Sequence, residues 1–189
     1  MTRNEAYTIL TKYLSNKNLI KHCLAAEAAM KAIYRDIHPD GNKEDEEKWG
    51  ITGLLHDADY EMSKGHPEKH GLLLFEMEKD TIPQDITHAI KAHNYDYTKV
   101  MPIAKMDWAI ACCDQLTGLI VAAALVHPEK KLAPLTTDFI LKRMKEKSFA
   151  KGAMREPILQ CEDRLGIPLE KFVTITLTAM QEIHEDLEL

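Results

Sequence analysis

A histidine and an aspartate are adjacent near the end of an apolar stretch, residues 49–59, which reads WGITGLLHDAD. The stretch is typical of a buried helix with two glycines, and it ends in His56, Asp57 and, after one alanine, Asp59. An imidazole and a carboxylate side by side offer two ligands to one divalent cation. The alternative is a helix end whose carboxylates face solvent, and the pair alone does not decide between the two.

Two further polar residues lie on apolar helical faces elsewhere in the chain. His22 falls beside the apolar stripe of a predicted second helix, and Asp114 lies within the most apolar helix. A lone carboxylate there costs on the order of several kcal/mol unless it is neutralised or paired. One divalent cation bound by His22, His56, Asp57 and Asp114 would neutralise it. Imidazole ligands favour Mn, Fe, Co, Ni or Zn over Ca or Mg.

The elements that position these residues are predicted to be helices throughout. Apolar residues recur with a period near 3.6 along nearly the whole chain, without the sustained alternation typical of strands. Asn18 is the predicted N-cap of the helix that carries His22. Gly50 and Gly53 lower the helix propensity of the stretch before His56, and we expect a neighbouring backbone to approach closely there.

Length and composition limit the class of protein. The chain has 189 residues, 45% hydrophobic and 29% charged, which is typical of globular domains. We therefore predict one all-α domain over residues 1–189, a helical bundle with a motif-bearing core at about 18–121. The C-terminal helices, about 135–186, are expected to pack on that core. The net charge of −6 disfavours a nucleic-acid polymer as partner.

The same composition bears on location. The one long apolar run, residues 109–126, is interrupted by Asp114, which favours a buried core helix over a membrane span. The four cysteines show no CxxC spacing, and the N-terminus lacks the apolar core of a signal peptide. These features predict a cytoplasmic protein with reduced thiols and no membrane partner.

The chain resembles the HD-domain superfamily of metal-dependent phosphohydrolases. The matching segments follow the pattern His…His-Asp…Asp and are IKHCLAAEAAM with His22, GLLHDAD with His56 and Asp57, and AIACCDQLTGLI with Asp114. Two further segments are similar to histidine motifs of the small stand-alone members, HPEKHG at 66–71 and ITHAIKAHN at 86–94. The likeness extends over about 18–121, and the helices beyond it carry no motif of the family.

The resemblance implies that one metal is bound by His22, His56, Asp57 and Asp114. In dinuclear members, further histidines help to hold a second metal and the aspartate of the pair bridges the two ions. His66 and His93 are the implied residues for a second metal or for substrate contact, whereas His70 is expected to be structural. Asp107, seven residues before Asp114 on the same helix face, is the alternative fourth ligand.

The chain departs from the family pattern at two places. Residues 58–60 read Ala-Asp-Tyr where many members have Ile-Gly-Lys, which weakens the expectation of a lysine contact to phosphate. Asn94 follows His93 where some dinuclear members have a second histidine, and this weakens the expectation of a second metal, although Asn94 offers an oxygen ligand. The number of ions, one or two, therefore stays open.

The implied reaction is hydrolysis of a phosphate ester of a small molecule, such as a nucleotide, by a metal-activated water. A bound divalent ion lowers the pKa of its water to about 7. Asp57 or Asp59 would orient that water, and Lys91 would contact the phosphate. Two alternatives stay open, a di-iron oxygenase of the HD type and a non-catalytic metal-binding sensor or interaction domain. A homodimer is compatible with the sequence.

Overall fold

The computed structural model describes residues 1–79 and 81–189. Its twelve α-helices are Arg3–Tyr13 (α1), Lys17–Ile37 (α2), Lys43–Leu55 (α3), Leu73–Met77 (α4), Gln84–His93 (α5), Tyr95–Thr98 (α6), Lys105–Val126 (α7), Thr137–Lys145 (α8), Arg155–Leu159 (α9), Cys161–Leu165 (α10), Leu169–Glu182 (α11) and His184–Leu187 (α12). A short 3-10 turn, Pro67–Lys69, precedes α4. The described residues contain no strand, and the predicted all-α class is confirmed.

Helices α2, α3 and α7 form the centre of the bundle. α2 packs against α3 and α7, α5 also packs against α7, and α11 covers α2, α7 and α8. The larger hydrophobic cluster includes Met30 of α2, Ile110 of α7 and Phe172 of α11. A smaller cluster joins α1, α3, α4 and α5, and it includes Leu10 and Leu54. Because α3 contributes to both clusters, the residues that follow it lie between well-packed elements.

Gly53 sets the distance between α2 and α3. A Cβ at this position would lie 2.5 Å from the carbonyl oxygen of Ala26, so only glycine allows the two backbones to approach so closely. At Gly50 a Cβ would instead meet the flexible side chain of Lys31. The expected close backbone approach is therefore found at Gly53, and it brings the end of α3 against α2.

The start of α2 differs from the prediction. Its N-cap is Asn16, whose side chain accepts hydrogen bonds from the backbone amides of Asn18 and Leu19 at 2.9 and 3.4 Å. The assignment of Asn18 as N-cap is wrong because the earlier asparagine already satisfies these free amides. The helix begins two residues sooner, and His22 stays on the same face.

The apolar helix α7 lies in the interior. It is the one described helix long and apolar enough to cross a membrane, and 61% of its apolar stretch is buried inside the chain. The carboxylate of Asp107 accepts hydrogen bonds from the backbone amides of Ile103 and Ala104, both at 2.9 Å, and lies 3.0 Å from Nδ1 of His88. Asp107 therefore caps α7, and it is not the fourth ligand of the histidine cluster.

Candidate metal centre

Four histidines and two aspartates converge where α2, α3, α5 and α7 meet. Each of two groups could hold a metal ion, since the ligand atoms within a group lie within 4.8 Å of one another. The first group consists of His22, His56 and Asp114, and the second consists of Asp57, His70 and His93. Both groups therefore combine imidazole nitrogens with a carboxylate, the donor set that binds first-row transition metals.

The first group joins α2, the end of α3 and α7. Nε2 of His22 lies 2.9 Å from Oδ1 of Asp114 and 3.2 Å from Nε2 of His56. Nε2 of His56 lies 3.5 Å from the same Asp114 oxygen. The His56 side chain is completely buried, so the three ligand atoms face one small interior space.

The second group joins the turn after α3, the segment before α4 and the end of α5. Nε2 of His70 lies 3.0 Å from Oδ1 of Asp57 and 3.0 Å from Nε2 of His93. Nε2 of His93 lies 3.8 Å from the same oxygen of Asp57. Three ligand atoms again converge, next to the first group.

The Asp57 carboxylate lies between the two groups. Its Oδ2 atom is 3.6 Å from Nε2 of His22, whereas its Oδ1 atom is 3.5 Å from Nε2 of His56 and 3.0 Å from Nε2 of His70. A carboxylate in this position can give one oxygen to each of two cations. Asp57 is thus the residue that makes the two groups a single centre.

The far ring nitrogens of two histidines fix their tautomers. Nδ1 of His56 lies 2.8 Å from the carbonyl oxygen of Gly53, and Nδ1 of His93 contacts the carbonyl oxygen of Ile90. A carbonyl oxygen can only accept, so Nδ1 of each ring donates and carries the proton. Each neutral ring therefore presents the lone pair of Nε2 to the centre, as metal-binding histidines do.

His22 is oriented in the same way by Thr117. The Thr117 hydroxyl donates to the carbonyl oxygen of Asp114 at 2.8 Å, and it lies 3.3 Å from Nδ1 of His22. Because the hydroxyl hydrogen is already used, Nδ1 of His22 donates to the hydroxyl oxygen. Nε2 of His22 is then left as the ligand atom.

The spacing of these atoms fits a bound cation. Two ligand nitrogens about 2.1 Å from one metal, in tetrahedral or octahedral positions, lie roughly 3.0–3.4 Å apart. The two Nε2–Nε2 distances are 3.2 Å for His22 and His56 and 3.0 Å for His70 and His93. Two lone pairs that face each other at this distance repel unless a proton or a metal ion lies between them. The donor set therefore fits a transition metal in each group.

The charges of the centre shift its pKa values strongly. Burial would lower the pKa of His56, but the carboxylates of Asp57 and Asp114 outweigh burial and raise it to about 9. Burial likewise opposes the change at His70, whose hydrogen bonds to Asp57 and Asp59 raise its pKa to about 10. Burial and the two charged rings nearby lower the pKa of His93 to about 4. Without a metal, protons on two of the rings therefore balance the carboxylates.

The two aspartates of the centre are held in the charged form. Burial would raise the pKa of each carboxyl, but the neighbouring histidines outweigh burial and lower both pKa values below the ordinary range. Asp57 and Asp114 are therefore carboxylates near neutral pH. Such fixed negative charge in an interior demands positive charge close by.

Asp59 lies behind His70 and does not line the cavity that opens onto the centre. Its side chain is 1% exposed, and it lies 2.9 Å from Nδ1 of His70. The backbone amide of Gly71, at a φ of 84°, donates to both of its oxygens at 3.0 Å, and the amide of Leu74 donates at 3.2 Å. Asp59 was expected to orient a water, and this role is corrected. Every donor near its carboxylate belongs to the segment that carries His70, so Asp59 holds His70 in position.

Two other predicted residues lie outside the centre. His66 precedes Pro67, and its side chain is 61% exposed with Nδ1 3.2 Å from Glu68. Nζ of Lys91 lies over the ring of Phe75, 5.0 Å from its centroid, and does not line the cavity. The roles predicted for His66 in a second metal site and for Lys91 in phosphate contact are corrected accordingly.

His70 was predicted to be structural. In the structure it belongs to the second group, the role that was predicted for His66. The side-chain amide nitrogen of Asn94 donates to the carbonyl oxygens of Pro67 and His70 at 2.9 and 3.2 Å, and Asn94 also lines the cavity, so a role of its oxygen as a ligand stays a prediction. These hydrogen bonds fix the segment that carries His70. Two features of the sequence pointed to His70. Gly71 follows it directly, and Asp59, two residues after Asp57, is a second aspartate that needs a partner if it is buried.

A cavity of about 460 Å³ opens onto the centre. It is lined by residues of α2, α5 and α7, by Asp57, Tyr60 and His70, and by Ala150 and residues 152–154, and among its described lining residues none is a lysine or an arginine. Gln115 connects the wall to the centre, because its amide nitrogen donates to Oδ2 of Asp114 at 2.7 Å and its amide oxygen accepts from the backbone of Met154 at 2.8 Å.

Comparisons with protein-family models, with curated proteins and with solved structures find no match to this chain. The resemblance to the HD-domain superfamily therefore stays a prediction from motifs. What the chain does has to be argued from the geometry and chemistry of this centre.

Proposed function

We propose that this chain binds two divalent transition-metal ions and hydrolyses a phosphate ester of a small molecule. The observation that carries the proposal is the position of Asp57, whose two oxygens face two His/Asp groups. Pairs of metal ions about 3.5–4 Å apart are typical of phosphatases and nucleases, in which they stabilise both the attacking and the leaving oxygen. A shared carboxylate is what holds such a pair at that separation.

Some residues of the chain would bind the two ions, and others would hold these ligands in position. A bound divalent ion supplies hydroxide near neutral pH, by lowering the pKa of its water to about 7, and positive charge for the phosphate. His22, His56 and Asp114 would hold one ion, His70 and His93 the other, and Asp57 both. Gln115, through Oδ2 of Asp114, would keep that carboxylate in a fixed orientation. Asp59 would do the same for the ring of His70.

The cavity supports a small substrate. Its volume of about 460 Å³ lies in the range of small-molecule sites, about 300–1,000 Å³. Ligands of this size include phosphate monoesters and diesters of simple alcohols and of nucleosides. The net charge of −6 adds to the argument against a nucleic-acid polymer.

Metal content and phosphatase activity test the proposal together. Protein purified without chelator should contain about two transition-metal ions per chain by mass spectrometry. It should release alcohol or phosphate from a panel of phosphate esters, and EDTA should abolish this activity until Mn²⁺, Co²⁺ or Zn²⁺ is returned. The Asp114→Asn variant should lose metal and activity, whereas Asp40→Asn, in the exposed turn after α2, should keep both.

Two results would contradict the proposal at different points. Protein that takes up none of Mn²⁺, Fe²⁺, Co²⁺, Ni²⁺ or Zn²⁺ would refute the metal centre. Protein loaded with two ions that cleaves neither monoesters nor diesters would refute the hydrolase and retain the centre.

A di-iron oxygenase is the second candidate, and one observation favours keeping it. Asn94 counted against a second metal site, but His70 provides the histidine that Asn94 does not. Two similar His/carboxylate groups that share an aspartate suit iron as well as manganese or zinc. Iron-loaded protein with a visible absorption band that changes on exposure to oxygen, and without phosphatase activity, would favour this candidate.

We predict that Asp59→Asn weakens the second metal selectively. The amide of asparagine cannot accept from His70 and from the two backbone donors as a carboxylate does, so the ring loses its fixed orientation. Loss of such a partner typically reduces metal affinity by about 10–100-fold. Titration against a competing chelator should show one ion bound as in the unsubstituted chain and one bound about 10–100-fold more weakly.

The matched control for this prediction is Glu61→Gln. Glu61 lies in the same loop and also accepts from backbone, at Ser15 and Asn16, but it faces away from the centre. Its substitution should leave both affinities unchanged. Equal weakening of both ions by Asp59→Asn would instead indicate a general loss of structure and would refute a positioning role for Asp59.

A further inference from the structure

A second, more apolar cavity adjoins the candidate metal centre. It has a volume of about 390 Å³ and is walled mainly by Val121 and Leu125 of α7 and by the C-terminal residues 187–189. Lys21 and Glu188 form an ion pair at the cavity and so satisfy each other's charge. Asn18 and His22 add polar groups at the cavity, and its other walls are mainly the apolar side chains of Val121, Leu125, Leu187 and Leu189.

The two cavities adjoin each other along α7. His22 and Gly118 line both of them. Positions 114, 118, 121 and 125 follow one face of α7, and they lead from the metal ligand Asp114 through Gly118 to the apolar walls. A molecule whose charged end lies at the metal centre can therefore extend past Gly118 into the apolar cavity.

Gly118 is the residue that keeps this passage open. Glycine in the interior of a helix costs about 1 kcal/mol relative to alanine, and at Gly53 the close backbone of α2 accounts for that cost. At Gly118 a Cβ would meet no atom within 4 Å among the described residues. Packing within the chain therefore does not require glycine here, and a larger side chain at this position would extend into the space where the two cavities adjoin.

We propose that the apolar cavity binds the alcohol part of the substrate, and that the substrate is a phosphate ester of an alkyl alcohol. The inference rests on the proposed hydrolase function and narrows its substrate class. A nucleoside base would need several hydrogen-bond partners, whereas the walls of the cavity along α7 and the C-terminal residues are mainly apolar side chains, such as Val121, Leu125 and Leu187. An alkyl chain, by contrast, gains from every methylene that it buries there.

Binding of alkylphosphonates to the Mn²⁺-loaded chain tests the proposal without turnover. Methyl-, butyl- and octylphosphonate carry the same charged group and differ in chain length alone. Each buried methylene contributes about 0.8 kcal/mol, which is about fourfold in affinity. Isothermal titration should therefore show affinity that rises by about fourfold per methylene until the cavity is filled.

Two substitutions should remove the dependence on chain length. Val121→Phe fills the apolar cavity, and Gly118→Leu closes the passage to it from an open position on the helix. Either variant should bind octylphosphonate no more tightly than methylphosphonate. Val126→Phe is the matched control, since Val126 is 53% exposed at the end of the same helix and its substitution should keep the full dependence.

The outcomes separate this inference from the proposed function. If methylphosphonate binds and longer chains bind no better, the apolar cavity is not a subsite and the inference is overturned, while the phosphate site stands. If no phosphonate binds, the proposed phosphate site is refuted. Binding of octan-1-ol then tests the apolar cavity by itself. Binding of octan-1-ol that Val121→Phe abolishes would support an apolar subsite, and no binding would overturn it.

Discussion

The Asp57→Asn variant should lose both metal ions and more than about 10³-fold in kcat/KM towards a phosphate ester. Asp57 is the one carboxylate that faces both groups, with Oδ2 3.6 Å from His22 and Oδ1 3.0 Å from His70. Asparagine has the same shape without the charge, so each ion would lose its shared anionic ligand. Metal content by mass spectrometry and steady-state kinetics at saturating Mn²⁺ measure the two effects.

Comparison with single-group variants makes this prediction specific. Asp114→Asn should weaken the first ion more than the second, and His93→Gln the second more than the first, whereas Asp57→Asn should weaken both. Circular dichroism should show the same helical content in every variant, because α2, α3 and α7 are held by large apolar contacts. An Asp57→Asn chain that retains one tightly bound ion would contradict a shared carboxylate.

The helical part of the centre could be predicted from the sequence because helix periodicity determines where side chains point. His22 and Asp114 lie on helices whose apolar faces are visible in the sequence, so their burial followed from position alone. His56 and Asp57 end an apolar helix, but this pattern alone did not decide whether they face the interior, and that expectation depended on the other histidines and aspartates of the chain. Periodicity does not reveal that Asp57 faces two groups, since that depends on how four helices are packed.

The loop part of the centre could not be predicted in this way. His66 and His70 lie in a segment of turns between α3 and α4, where no period relates sequence to direction. The choice between them depends on Gly71, whose positive φ turns its amide towards Asp59, and on Asn94, which holds the carbonyl of His70. These contacts join residues that are distant in the sequence, so the motif alone led to the prediction of His66 and not of His70.

The direction of the Lys91 side chain could not be predicted for a different reason. Lys91 lies two residues before His93 on α5, about 200° around a regular helix, so the helix period places it away from the side that carries His93. In the structure its long side chain lies over the ring of Phe75, a contact that the sequence does not indicate because Phe75 lies on a different helix, α4. Long flexible side chains follow such local partners.

Metal binding should stabilise the chain, and more so as pH rises from 7 to 10. Without metal, the pKa of His56 is raised to about 9 and that of His70 to about 10, against about 6.5 in an unfolded chain. A raised pKa in the folded state contributes stability that is complete below pH 6.5 and is lost as pH rises through 9 to 10. The thermal midpoint of metal-free protein should therefore fall across this interval.

Bound metal replaces the protons on His56 and His70. The thermal midpoint of metal-loaded protein should therefore fall much less between pH 7 and pH 10 than that of metal-free protein. Free metal at 1,000 times its Kd stabilises a folded protein by about 4.1 kcal/mol, which corresponds to roughly 8–16 °C for a chain of this size. Because fewer protons compete for Nε2 at higher pH, the shift in midpoint produced by metal should grow between pH 7 and pH 10. Calorimetry of the chain with EDTA and with Mn²⁺ at several pH values measures both trends.

Two histidine variants assign the effect to the centre. His70→Gln removes one of the two protons that balance the carboxylates, so the metal-free midpoint of this variant should fall less between pH 7 and pH 10. His184→Gln changes an exposed histidine at the start of α12 and should preserve the fall. A metal-free midpoint that is constant across this range, with no added stability from metal at any pH, would show that protons and cations do not share this centre.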